Sequence, residues 1–81
     1  MPFNEEISVV TIHDHKKKQN KPFKIEWRNR TYKISKIGYH HKVHVGKTLH
    51  HIFSVTDGNN FFKLNYNTDS LSWKLEEMLT S

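Results

Sequence analysis

The stretch from Pro22 to Ile37, PFKIEWRNRTYKISKI, constrains this chain more than any other. Phe23, Ile25 and Trp27 alternate with Lys24, Glu26 and Arg28, and after Asn29 and Arg30 the alternation resumes with Thr31, Tyr32, Lys33 and Ile34. A period of two puts like side chains on one face of an extended chain, whereas a helix would scatter them around its axis. The stretch therefore reads as a two-stranded hairpin with one large apolar face and one mostly basic face. With Asn29 and Arg30 as the turn, Trp27 falls opposite Tyr32, Ile25 opposite Ile34 and Glu26 opposite Lys33, so aromatic, aliphatic and charge pairs agree on one register. Arginine tolerates the left-handed backbone of a tight turn poorly, which argues for a loop longer by a residue or two.

The same period extends the β reading along the chain. Ile7 to Ile12 is rich in β-branched residues and is expected as a short strand, at an edge or buried on both faces. His13 to Lys21 has no apolar residue and four lysines, and is expected as a solvated, mobile connection. After Ile34 the alternation slips by one, which a bulge near Ser35 and Lys36 repairs, leading into a long bent strand with Tyr39, His41, Val43 and Val45 inside and His40, Lys42 and His44 outside. Asp57 to Asn60 form a turn cluster that pairs Val55 with Phe62, Phe53 with Leu64 and His51 with Tyr66. Every inner position there is apolar or aromatic except His51. A turn at Asn67 to Ser70 would set Tyr66 against Leu71, Leu64 against Trp73 and Phe62 against Leu75, at the cost of Lys63 facing Lys74. Leu71, Leu75, Met78 and Leu79 also satisfy helical spacing. The alternation of Leu71, Trp73 and Leu75 favours a strand to about Glu76, followed by a short helical turn over Glu77 to Leu79.

These elements imply an all-β fold: a single antiparallel meander of five to six strands bent into a barrel-like roll. Residues 1–21 would be an N-terminal strand and basic linker, and residues 22–78 the core. At 81 residues there is room for one small core. The absence of cysteine excludes a disulfide framework, a thiolate zinc site and a cysteine nucleophile together. The first ten residues lack a basic, then apolar, leader pattern and no long apolar run occurs, so a cytoplasmic protein with no membrane span is expected.

Two constellations carry potential chemistry. Net charge is +5, but Lys16 to Lys47 alone carries +10. Within it, Lys24, Arg28, Arg30, Lys33 and Lys36 form a candidate nucleic-acid-binding face, with the lysines of the preceding loop beside it and Tyr39 and Phe61 as candidate exposed stacking rings. The second constellation is seven histidines, five of them flanking one turn. His40, His44 and His50 are candidate ligands for zinc or nickel on the outer face, with His41 and His51 as an inner pair. No carboxylate lies between His40 and His51 to serve as a second-shell partner, and clustered imidazoles also respond to pH near 6.5. No nucleophile elbow or Gly-rich phosphate loop is present, Asp14, Asp57 and Asp69 fall in loops and Glu76 and Glu77 near the C-terminus, so an enzyme is not expected. An exposed edge strand such as Ile7 to Ile12 would instead offer a protein-interaction surface.

The segments PFKIEWRNRTYKI (22–34), HIFSVTDG (51–58), FKL (62–64) and WKLEE (73–77) resemble a small bacterial β-domain family of unknown function, whose members occur alone or appended to the C-terminus of error-prone Y-family polymerase-like proteins. The resemblance covers Pro22 to about Met78 and implies a compact antiparallel β module in DNA-associated work. The family pattern has Gly where Asn29 stands, and the histidine-rich stretch is not general to it. No site residue carries over.

Overall fold

A computed structural model describes residues 2–80, excluding the side chains of residues 2 and 3. Seven strands, all antiparallel, make up the fold: β1 (Pro2–Asp14), β2 (Gln19–Trp27), β3 (Arg30–Lys33), β4 (Lys36–Val45), β5 (Thr48–Thr56), β6 (Asn60–Asn67) and β7 (Ser72–Thr80). Their order across the sheet is β3-β2-β1-β7-β6-β5-β4. Among the described residues, no helix is long and apolar enough to cross a membrane.

The strand count differs from the expected five to six because the chain changes partner where a bulge was expected. Ile34 N–H donates to the Phe23 carbonyl on β2, and the next residue, Ser35, donates to the Thr56 carbonyl on β5, each at 2.9 Å. β3 and β4 are thus separate strands at opposite ends of the sheet order, joined by two residues. No ladder links them, so the sheet is not closed into a barrel, as the expected barrel-like roll would require.

β1 is the other junction. Its first half pairs with β7 as far as Ile7, and its second half pairs with β2 from Ser8. Each half of β1 is therefore laddered on one side only, and β3 and β4 are the outermost strands of the order. The expected linker is largely strand as well, since β1 runs to Asp14 and β2 begins at Gln19. Asp14 Oδ1 accepts the N–H groups of Lys16 and Lys17 in the turn between them.

The β2–β3 layer folds over β5, β6 and β7, and the core lies between. Ile7, Ile25, Ile34, Phe53, Val55, Phe62, Leu64 and Leu75 are buried in one cluster, with Trp27, Tyr32, Ile37 and Trp73 packed against it. Across the layers the Tyr32 and Phe62 rings stand 5.1 Å apart. The inner face expected for the first hairpin holds, except that Phe23 lies outside this cluster, with the Lys33 ammonium 5.6 Å from its ring centroid.

Registers were legible where turn chemistry was unambiguous. β5 and β6 pair as expected, with Val55 opposite Phe62, Phe53 opposite Leu64 and His51 opposite Tyr66. The β2–β3 turn sits one residue earlier than expected, on Arg28 and Asn29, whose φ values are 50° and 62°. Ile25 therefore opposes Tyr32, and Trp27 opposes Arg30. The shift spans a full pleat, so every face is preserved. Asn29 takes the position that Arg30 would have filled poorly. Arg28 is held by the Glu5 carboxylate at 3.2 Å and by the Trp27 ring, 4.6 Å to its centroid. The β6–β7 loop extends to Leu71, whose N–H donates to the Asn67 carbonyl at 2.8 Å, so Tyr66 opposes Trp73 and Leu64 opposes Leu75. Lys63 then faces Glu77 rather than Lys74, and the expected repulsion disappears. β7 remains extended to Thr80, so the expected helical turn over Glu77 to Leu79 does not form.

Candidate functional site: a cleft with an aromatic floor

One glycine decides what β4 presents to the interior. Ile37 opposes Val55 and Tyr39 opposes Ser54, which leaves Gly38 as an extra residue. A single inserted residue inverts the alternation beyond it. His40 consequently opposes Phe53 and Lys42 opposes His51 on the inner face, while Tyr39, His41, Val43 and Val45 point outward. This is the reverse of the expected facing. Tyr39, through this reversal, and Phe61 are both exposed.

Beyond the core this inner face is only partly covered. The end of the β1–β2 hairpin stands opposite it, and a cleft of about 610 Å³ lies between them, in the size range of small-molecule sites. Its floor is a continuous set of rings. His40 lies flat on Phe53, with centroids 4.2 Å apart and planes 2° from parallel. Trp73 contacts Phe53 at 5.6 Å and Tyr66 at 4.7 Å. His51 lies beside His40, with His51 Nδ1 2.8 Å from His40 Nε2. Lys17 and Lys18 line the hairpin side and Lys42 the sheet side, and among the described residues no carboxylate lines the cleft. Burial holds the His40 and His51 imidazoles below their ordinary pKa. Neighbouring His51, Lys42 and His41 add to the effect at His40, and Lys42 adds to it at His51.

The expected basic face is dispersed. Lys24 and Lys33 oppose each other on the outer side of the hairpin, Arg28 is engaged by Glu5, and Arg30 sits across from Trp27. Lys36 lines a second groove of about 330 Å³ that also holds Lys63 and Glu77. Lys63 lies 3.8 Å from Glu76, so acidic groups offset the charge there.

The expected metal ligands are separated too. His40 faces the cleft, whereas His50 is on the outer face with Nδ1 2.7 Å from Asn65 Oδ1, and His44 is exposed near the β4–β5 turn. His41 and His51 also lie on opposite faces, and His41 Nδ1 is buried without a hydrogen-bond partner. Among the described residues, no three or more His, Cys, Asp or Glu side chains are grouped to hold a metal.

No family model, curated protein or solved structure matches the chain. The cleft is therefore read from its own chemistry. Its one signal in the sequence was His51, the single polar residue in an otherwise apolar and aromatic inner row. Its partner His40 was hidden by the parity change at Gly38.

Proposed function

We propose that the protein is a non-enzymatic binding module for single-stranded nucleic acid, with the cleft rather than the outer hairpin face as its contact surface. The observation that carries this reading is the combination of an aromatic floor with three rim lysines and, among the described residues, no carboxylate. Rings of this kind stack bases without demanding a sequence, at about 1–3 kcal/mol per base, while lysines meet the backbone phosphates. A duplex keeps its bases stacked and paired, so a cleft of this size favours unpaired strands.

Fluorescence anisotropy with labelled oligo-dT and with a duplex of equal length, over a salt series, tests the reading. Three lysine–phosphate contacts predict a log–log salt slope of about −2, from about −0.7 per phosphate on single strands. Reversing Lys17, Lys18 and Lys42 to Glu should abolish most of the affinity, whereas K24E with K33E on the outer hairpin should change it far less. Negligible binding at low salt, or the opposite ranking of these two variants, would remove the cleft from consideration.

A further inference from the structure

We infer that the His40–His51 pair is the phosphate-receiving element of this cleft and takes up one proton together with the anion. The nucleic-acid reading supplies the identity of the ligand; the chemistry of the pair stands on its geometry.

His40 Nε2 and His51 Nδ1 face each other at 2.8 Å, and the two ring planes are 20° apart with centroids separated by 5.1 Å. Nitrogens so much closer than their ring centres mean that the rings meet edge to edge, with one proton between them. Zinc needs about 2.0–2.1 Å on each side, so the gap accommodates a proton and not a metal. In the neutral pair, one proton fills the shared bond and only one of the two outward nitrogens, His40 Nδ1 or His51 Nε2, carries another. A proton added from solvent makes both outward nitrogens donors while the shared bond is kept. Two N–H donors and one positive charge suit phosphate oxygens, which accept but do not donate.

The surroundings tie that proton to an anion. Lys42 opposes His51 from β4, Lys17 and Lys18 line the facing hairpin turn, and His41 adjoins on the outer side of β4. Tyr66 on β6 and Trp73 on β7 are the other rings beside the pair. Asp14, at the hairpin turn, is committed to the backbone of Lys16 and Lys17. The empty cleft thus opposes a further positive charge, and a phosphate removes that opposition.

The test is binding of oligo-dT to the full chain at constant ionic strength, between about pH 8 and pH 5.5. One linked proton tightens binding by up to about tenfold per pH unit as pH falls. The chain carries five further histidines, so H40N and H51N serve as controls, and each should flatten the slope relative to the wild-type chain. Because these variants touch the packed floor, the wild-type chain gives a second readout. Excess inorganic pyrophosphate should raise the NMR titration midpoints of the His40 and His51 rings by about one unit. Midpoints that stay in place, or a pH slope that survives in both variants, overturn the inference. If pyrophosphate moves the midpoints while oligo-dT fails to bind, the inference stands and the nucleic-acid reading falls.

Discussion

Leu71 holds the left-handed backbone that ends the β6–β7 loop, at φ 57°, and the residue is 69% exposed. That conformation costs a non-glycine residue about 1–2 kcal/mol, and a largely exposed leucine recovers little by burial. Glycine removes the strain but loses about 0.5–1 kcal/mol of chain entropy on folding. L71G is therefore expected to raise stability by up to about 1 kcal/mol, read as a higher urea midpoint at an unchanged m-value. A lower midpoint would show that the leucine side chain makes contacts that outweigh the strain. Arg28 is the contrasting case, because its left-handed backbone is accompanied by contacts to Glu5 and Trp27. Both β-turn registers depended on which residue accepts positive φ. For Asn29 this follows from residue type, whereas for Arg28 and Leu71 it follows from neighbours distant in sequence or from the loop as a whole.

At the scale of elements, Ser35 and Gly38 decide how β3 and β4 are used. Ser35 donates its N–H to the Thr56 carbonyl, and its hydroxyl donates to the same oxygen at 3.2 Å. S35P deletes the N–H that fixes the start of β4 on β5 and should cost about 1–3 kcal/mol, with added strain if the ring clashes. S35A keeps the N–H and should cost well under 1 kcal/mol, since the exposed hydroxyl is replaced by water. Equal losses for the two variants in urea denaturation would show that the backbone bond does not anchor the change of partner. Gly38 acts three residues later by inverting the facing of β4. The expected facing failed beyond Ile37 because a second extra residue, Gly38, left no break in the apolar pattern to reveal it. The expected slip at Ser35 and Lys36 is present, since Ile34 and Ile37 both face the core, and the inversion at Gly38 is a second one.

At the scale of the molecule, charge groups from several elements make stability depend on pH in two ranges. His40 and His51 are held below the ordinary imidazole value, mainly by burial, so the unfolded chain binds protons more readily than the folded one. Their contribution is complete above about pH 6.5 and is lost progressively as pH falls below it. Glu5 is lowered by the hydrogen bond from Trp27 Nε1–H at 2.6 Å and then by Arg28, which ties β1 to the β2–β3 turn. Asp14 is lowered by the backbone of Lys17 and Lys16. Burial alone would raise the Asp57 carboxyl, but the N–H groups of Asn60 and Asn59 outweigh it and the net shift is downward. These carboxylate contributions are present above the ordinary carboxylate range and are lost as pH falls through it. Urea midpoints measured from pH 8 to pH 3 should therefore decline in two steps, and the combined H40N and H51N chain should lack the first. A flat profile between about pH 7 and pH 5 would contradict the placement of the pair.

What the amino-acid order determined by itself was local: extended backbone throughout, the inner faces of β2, β3, β5 and β6, and the β5–β6 register, because Asp57 caps its own turn through the N–H groups of Asn59 and Asn60. Only the tertiary structure decided that β1 divides its pairing between β7 and β2, that the chain changes partner between Ile34 and Ser35, and that His40 meets His51 in a cleft. The physical reason is that alternation records which side of a strand is buried, a property of neighbouring residues. Which strand its backbone bonds, and where an inserted residue flips that side, are settled by packing between segments far apart in the chain.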